Sequence, residues 1–223
     1  MKLLIVTTNA DSLGPGHATG TWLEEYAVPY DAFQEAGAAI VVASPKGGAT
    51  PIDPQTTPNE EQRLSWAQPI AALQNTQRLA DVKADDFDAV FIPGGHGPLI
   101  DLAMNAEVLR LLADFDRAGK IIGAVCHGPA ALLNAKRADG TALVAGKRVT
   151  AFTNNEEKLV KLDRVVPFLL ETALRDRGAC FDGTPLPFIP HVVRDGNLIT
   201  GQNPASSSGV AERMLEALRS PAK

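Results

Sequence analysis

Along the chain, short runs of consecutive apolar residues alternate with stretches whose apolar positions recur every three or four residues. The first pattern predicts strands buried on both faces, and the second predicts amphipathic helices. Lys2–Thr8 is an apolar, β-branched-rich run followed by an Asn/Asp/Ser/Gly/Pro loop to Gly20. From Trp22 to Ala36 the spacing of Leu23, Tyr26, Ala27, Tyr30 and Phe33 predicts a helix, with Pro29 expected to kink it and Gly37 to end it. Further strands are predicted at Ala38–Ser44, Asp88–Pro93, Ile121–Val125 and Arg148–Phe152. Helices are predicted at Asn105–Ala118, from Pro129 onward, after Pro167 through Leu174, and at Ala205–Leu218. His191–Thr200 reads as a hairpin turning at Arg194-Asp195-Gly196-Asn197.

Unbroken apolar strands alternating with helices imply an α/β fold, a mostly parallel sheet sandwiched by helices and closed by a C-terminal hairpin. Lys46–Pro69 breaks the alternation: it is rich in Pro, Thr, Asn, Gln and charge where a helix is due after the second strand. Such an insert is either a surface excursion with a short helix through Glu60–Trp66 or, because it leaves a strand's carboxyl end, an overhang on the ligand crevice.

Composition narrows the setting. With 223 residues, 45% of them hydrophobic and 21% charged, the expectation is one domain over 1–223, with the insert at 46–69. A net charge of −5 with no basic run argues against nucleic acid or an anionic membrane as partner. No apolar segment approaches membrane-spanning length, and the first residues turn polar too early for a signal peptide. Cys126 and Cys180, the two cysteines, are too few for a disulfide scaffold, so a reducing cytoplasm is expected. Neither lies in a CxxC pair and the four histidines are scattered, so no metal site is expected.

Ile121–Leu133 carries the strongest chemical signal. A buried strand runs into Ala124-Val125-Cys126-His127-Gly128, small-x-nucleophile-x-small, the cysteine form of a nucleophile elbow. A helix start just beyond it would favour thiolate through its N–H groups. Alone, Cys126 reads equally as a small buried hydrophobe. Gly94-Gly95-His96-Gly97-Pro98 ends the preceding strand, and the amides of Gly94 and Gly95, with that of His127, are candidates for an oxyanion hole. Otherwise the glycines mark only a tight turn. Glu25 opens the first helix near the strand-one loop, where an acid is ordinarily just solvated. His127 is the candidate base, although adjacency in sequence does not bring rings together, and Glu156-Glu157 offers it an orienting acid or merely an acidic helix start.

Five motifs together resemble a known family: Gly20-Thr21-Trp22-Leu23-Glu24-Glu25, Ala43-Ser44-Pro45-Lys46-Gly47-Gly48, Phe91-Ile92-Pro93-Gly94-Gly95-His96-Gly97, Ala124-Val125-Cys126-His127-Gly128-Pro129 and Thr200-Gly201-Gln202-Asn203-Pro204-Ala205-Ser206. They are similar to the ThiJ/PfpI superfamily, and within it to the heat-shock chaperone/glyoxalase III-like branch, nearly end to end. The resemblance implies a flavodoxin-like sheet, a type 1 glutamine amidotransferase-like core and a homodimer. It implies a nucleophilic Cys126 beside His127, with Glu25 hydrogen-bonded to the sulfur. Counting from Phe152-Thr153 it points to Glu157 as the third member, with Glu156 adjacent. The implied activity is cofactor-free, glutathione-independent conversion of a small reactive aldehyde, methylglyoxal, to D-lactate through a Cys126 hemithioacetal. The alternatives are a cysteine amidase or peptidase, disfavoured because the late His-x-Glu of glutamine amidotransferases is absent, and a stress-linked chaperone or redox sensor. Outside the motifs, Cys180 is expected in a buried strand, His17 facing solvent and His191 without a partner. Trp66 is expected to anchor the insert, and Asn203 with Ser206–Ser208 to cap the last helix.

Overall fold

A computed structural model describes residues 1–219. Strand β1 (Lys2–Val6) is followed by a small hairpin, β2 (Ser12–Gly14) and β3 (His17–Ala18), then by helix α1 (Leu23–Glu35) and β4 (Ala39–Ser44). The polar insert holds α2 (Glu60–Ser65) and α3 (Ala67–Leu73) and ends at β5 (Gln77–Arg78). Next come β6 (Ala89–Ile92), α4 (Pro98–Asp101), α5 (Ala106–Arg117) and β7 (Ile121–Val125). The last third contains β8 (Arg148–Val149), α6 (Asn154–Leu159), α7 (Leu170–Asp176), β9 (Cys180–Phe181), the hairpin β10 (Val192–Asp195) and β11 (Leu198–Gly201), and α8 (Ser207–Arg219).

Seven strands form the main sheet in the order β10-β11-β7-β6-β1-β4-β5, parallel except for β10 against β11. Successive side chains of a strand point to opposite faces, and the central strands are apolar on both. Leu4, Val6, Val90, Ile92 and Ile122 face one core with Leu111, Leu112 and Phe115 of α5. Leu3, Ile5 and Phe91 face the other, with Tyr26 and Phe33 of α1 and Val210 and Met214 of α8. That double burial is why these strands read as continuous apolar runs. Gly123 is needed in β7 because a Cβ there would strike the Met214 sulfur. Among the described residues no helix is long and apolar enough to cross a membrane.

Three expectations are corrected. The segment after Cys126 is a 3₁₀ turn, Gly128–Leu132, rather than an α-helix from Pro129. All five of its residues are buried, so it forms a plug between elements and lacks the polar face that would let a longer helix lie on the surface. The strand expected at Arg148–Phe152 shortens to Arg148–Val149 and pairs with β9 in a separate two-stranded sheet. The place beside β7 is taken by β11, whose Thr200 is registered with Ala124. Cys180, expected to be buried, is exposed, because β9 lies at the margin with only β8 for a neighbour. Pro29 lies inside an α1 that runs on through it, and a short helix does occupy Glu60–Ser65 of the insert.

Candidate active site

Cys126 follows the carboxyl end of β7 with φ +58°, a left-handed conformation that costs a non-glycine residue energy and marks the sharp turn of an elbow. Its backbone is fixed on two sides: its N–H donates to the Gly201 carbonyl and its own carbonyl accepts from the Phe152 N–H, both at 3.0 Å. The bend points the side chains of Cys126 and His127 into one pocket. Cys126 Sγ lies 3.3 Å from His127 Nδ1. On the far side of the ring, His127 Nε2 lies 2.7 Å from Glu157 Oε2. Glu157 is carried there by α6, whose start is fixed by a capping box between Thr153 and Glu156.

That capping box separates the two adjacent acids. Glu156 Oε2 accepts from the backbone N–H and hydroxyl of Thr153 at 2.9 Å each, and its Oε1 accepts from Phe188 N–H, Asn203 Nδ2 and Gln202 Nε2. Glu156 is therefore fully committed to scaffolding, and Glu157 alone reaches the imidazole.

Glu25, in the first turn of α1, is completely buried beside the thiol. Its Oε2 accepts the Gly94 N–H at 2.8 Å. Gly94 is wedged among the reactive groups: a Cβ would come to 2.5 Å from Glu25 Oε2, 2.8 Å from the His127 nitrogen and 2.9 Å from Cys126 Cβ. Gly95 takes φ +83°, and a Cβ there would strike the Gly20 carbonyl. Because Gly94 donates to Glu25, two of the three amides expected to form an oxyanion hole remain candidates for it. The N–H groups of Gly95 and His127 donate to no protein acceptor among the described residues.

The electrostatics follow from burial. Burial raises the Glu25 carboxyl to about 8, against the hydrogen bonds from Cys126 and Gly94. Burial also pushes the Cys126 thiol upward, and the acid beside it adds to the effect. The short 3₁₀ turn after the elbow supplies less of the helix-terminus field that the sequence reading invoked for a thiolate. Burial, reinforced by His96, lowers His127 to about 4 despite Glu157. For Glu157 burial acts upward, but the hydrogen bonds from His127 and His96 outweigh it and hold the carboxylate at about 2. Near neutrality, then, Glu25 carries a proton, His127 is neutral and Glu157 is ionised. An ionised carboxylate can only accept, so His127 holds its proton on Nε2 and turns the Nδ1 lone pair toward the thiol.

His96 is the residue that sequence reasoning left without a role. Its Nε2 lies 2.8 Å from Glu157 Oε1, and its ring stacks on His127 with centroids 4.0 Å apart. The available signal was its position, a polar side chain inside a glycine turn at a strand's carboxyl end. His96, His127 and Glu157 place three donor atoms within 4.8 Å of one another, a set able in principle to hold a metal ion. Both Nε2 atoms here point at the carboxylate oxygens at hydrogen-bonding distance, which satisfies the trio without one.

A cavity of about 220 Å³ opens over Cys126, His127 and His96, walled by Trp22, Phe152 and Phe188. A roomier hollow of about 590 Å³ around Met1, Lys120 and Arg194 lies at the opposite end of the strands, away from this chemistry. Gln55 of the insert also lines the site cavity, so the insert does border the crevice. It is laced to the strand-one loop by Thr21 N–H to the Pro51 carbonyl at 2.8 Å and Asp53 N–H to the Thr21 carbonyl at 2.9 Å. Trp66 packs half-buried against the α1-side core, as an anchor. His17 is exposed, and His191, expected to stand alone, has its Nε2 3.3 Å from Asp182 Oδ1. Asn203 and Ser206 form a capping box around Pro204–Ser206.

A model of the DJ-1/PfpI family matches residues 17–217. The chain belongs to the DJ-1/PfpI family. It is similar to hsp3103 of Schizosaccharomyces pombe, a probable glutathione-independent glyoxalase, at 37% identity over 66% of this chain and 59% of that one. Glyoxalase 3 of Candida albicans is 29% identical over 97% of this chain and 98% of its own length. The crystal structure of glyoxalase III from that organism superposes with a TM-score of 0.89, covering 97% of both chains at 26% identity. The Francisella tularensis Rapid Encystment Protein 24 kDa gives a TM-score of 0.91 at 36% identity, covering 97% of this chain and 98% of that one. The DJ-1/PfpI fold thus accounts for the flavodoxin-like sheet, with the elbow at the carboxyl end of a central strand.

Proposed function

We propose that this chain is a glutathione-independent glyoxalase that converts methylglyoxal and water to D-lactate. The observation that carries the reading is the 3.3 Å approach of a neutral His127 Nδ1 to the Cys126 thiol, with a protonated Glu25 beside the same sulfur. His127 takes the thiol proton as sulfur bonds to the aldehyde carbon. The carbonyl electron pair moves to oxygen, which the free amides of Gly95 and His127 receive. The imidazolium returns its proton to that oxygen, leaving a neutral hemithioacetal. His127 then takes the proton from the former aldehyde carbon while Glu25 protonates the ketone oxygen, giving an enediol. Glu25 next accepts the hydroxyl proton on the sulfur-bearing carbon as His127 delivers its proton to the neighbouring carbon, forming a lactyl thioester. Water attacks the thioester, sulfur leaves and regains a proton, and lactate departs. One carbon is oxidised and its neighbour reduced, so no external redox partner is required.

The oriented pair His127–Glu157 suits a group that accepts and returns a proton twice on the way to the thioester. A carboxylic acid kept neutral by burial suits the second proton carrier. A hydrolase of the same fold would use the same thiol on an acyl carbon. A redox sensor calls for an accessible, low-pKa thiol, whereas Cys126 is 3% exposed and shifted upward. The test is D-lactate formation from methylglyoxal without glutathione. Its absence, with ammonia or peptide release instead, would favour the hydrolase. We further infer a homodimer working in a reducing cytoplasm, in keeping with two free cysteines; light scattering of the purified protein tests the dimer.

A further inference from the structure

Phe188 stands at the mouth of the cavity with φ +60°. Bulky aromatic residues rarely adopt that conformation, whereas glycine does so freely. The strain is maintained by the scaffold of the site itself. Phe188 N–H donates to Glu156 Oε1 at 2.8 Å, and the same oxygen accepts Asn203 Nδ2 at 2.9 Å. Asn203 Nδ2 also donates to the Ile189 carbonyl at 2.8 Å, and Thr184 N–H donates to Gln202 Oε1 at 2.8 Å. The loop 183–190 is therefore pinned along its length to groups around the neighbour of Glu157.

The pinning places one ring. The centroid of Phe188 lies 6.2 Å from that of Phe152, which lies 4.6 Å from the imidazole of His127. Phe188 nevertheless remains 45% exposed, as does Val160 at 40% on the same cavity. An aromatic ring on strained backbone, left half in water at the rim of a reactive cavity, is a surface suited to an apolar ligand. Cys126, His127 and His96 occupy the reacting end, while Phe152, Phe188 and Leu162 line the remainder. A methyl substituent would leave most of that apolar wall uncovered.

We propose that Phe188 is a specificity-determining residue and that the preferred substrate is an α-oxoaldehyde whose ketone carbon carries an aryl or branched apolar group. The aldehyde carbon meets the Cys126 sulfur while the substituent packs against the apolar wall formed by Phe188 and Phe152. The inference rests on the glyoxalase reading and uses the same internal redox step: an arylglyoxal and water give the aryl hydroxy acid, mandelate in the case of phenylglyoxal.

The experiment compares kcat/KM for phenylglyoxal and methylglyoxal, by mandelate and lactate formation, in the full chain and in Phe188→Gly and Phe188→Leu. The expected wild-type preference for phenylglyoxal is about tenfold or more. Phe188→Gly, which relieves the backbone strain and removes the ring, should lower that preference at least about fivefold, with Phe188→Leu in between. A wild-type ratio near one, or equal losses on both aldehydes in Phe188→Gly, would overturn the assignment. Failure of the wild-type protein to turn over either aldehyde would instead overturn the glyoxalase reading.

Discussion

His96 Nε2 stands 2.8 Å from Glu157 Oε1, so the carboxylate that orients the candidate base is shared with a second imidazole. His96 also opposes protonation of His127. Replacing it by Asn should raise the His127 pKa from about 4, for want of that opposition, and move the acidic limb of the pH–rate profile upward. Loss of a hydrogen bond to a charged group should lower kcat/KM by about tenfold or more. A pH profile that falls uniformly without moving would show His96 to be only packing.

Glu25 gives a stability prediction with a definite sign. Its folded pKa of about 8 lies above the ordinary glutamate value of 4.5, so the folded state holds a proton that the unfolded chain releases. Its contribution is fully present below pH 4.5 and is lost as pH rises toward 8. Glu25→Gln keeps an acceptor for the Gly94 N–H without the ionisable group. It should therefore be more stable than the wild type at pH 7 by on the order of 2–3 kcal/mol, with the difference vanishing near pH 4. Urea unfolding at the two pH values measures this, and the same variant should lose D-lactate formation.

At Cys126 the backbone and the chemistry can be separated. Cys126→Ser should abolish methylglyoxal turnover while circular dichroism and the melting transition stay close to wild type. Comparison of Cys126→Ala with Cys126→Gly tests the elbow: at φ +58° the glycine variant should be the more stable by about 1 kcal/mol, the reverse of the order in a regular element. An alanine variant as stable as the glycine variant would mean the bend relaxes when the thiol is gone.

Gly94→Ala probes the crowding around the acid. The added methyl meets Glu25 Oε2 at 2.5 Å and two atoms of the elbow within 2.9 Å, all on groups with little freedom to withdraw. Overpacking of this kind costs about 1–3 kcal/mol and should lower kcat by at least about a hundredfold through misplacement of the thiol. Thermal melting and lactate assays together check both.

The apolar runs of β1, β4, β6 and β7, and the helical spacing of α1, α5 and α8, were legible because each element's burial is written into its own periodicity. The sharp turn at Cys126 was legible too, since small residues flanking a position at a strand's end have a local meaning. Arg148–Phe152 was misread for a non-local reason: its apolar pattern suits a strand, but β11 arrives from fifty residues later in the chain and occupies the place beside β7. Cys180 was misplaced likewise, because an edge position cannot be read from a strand's own residues.

Sequence by itself determined the order of the elements, the parallel sheet and the place of the turn at Cys126, all properties of contiguous residues. Tertiary structure alone decided that Glu156 is held by its capping box, that His96 shares the Glu157 carboxylate with His127, and that Glu25 rests protonated. The reason is physical: hydrogen-bond partners and desolvation depend on groups 61 and 30 residues away in the chain for the two histidines of Glu157, and such distances are set only when the strands are packed.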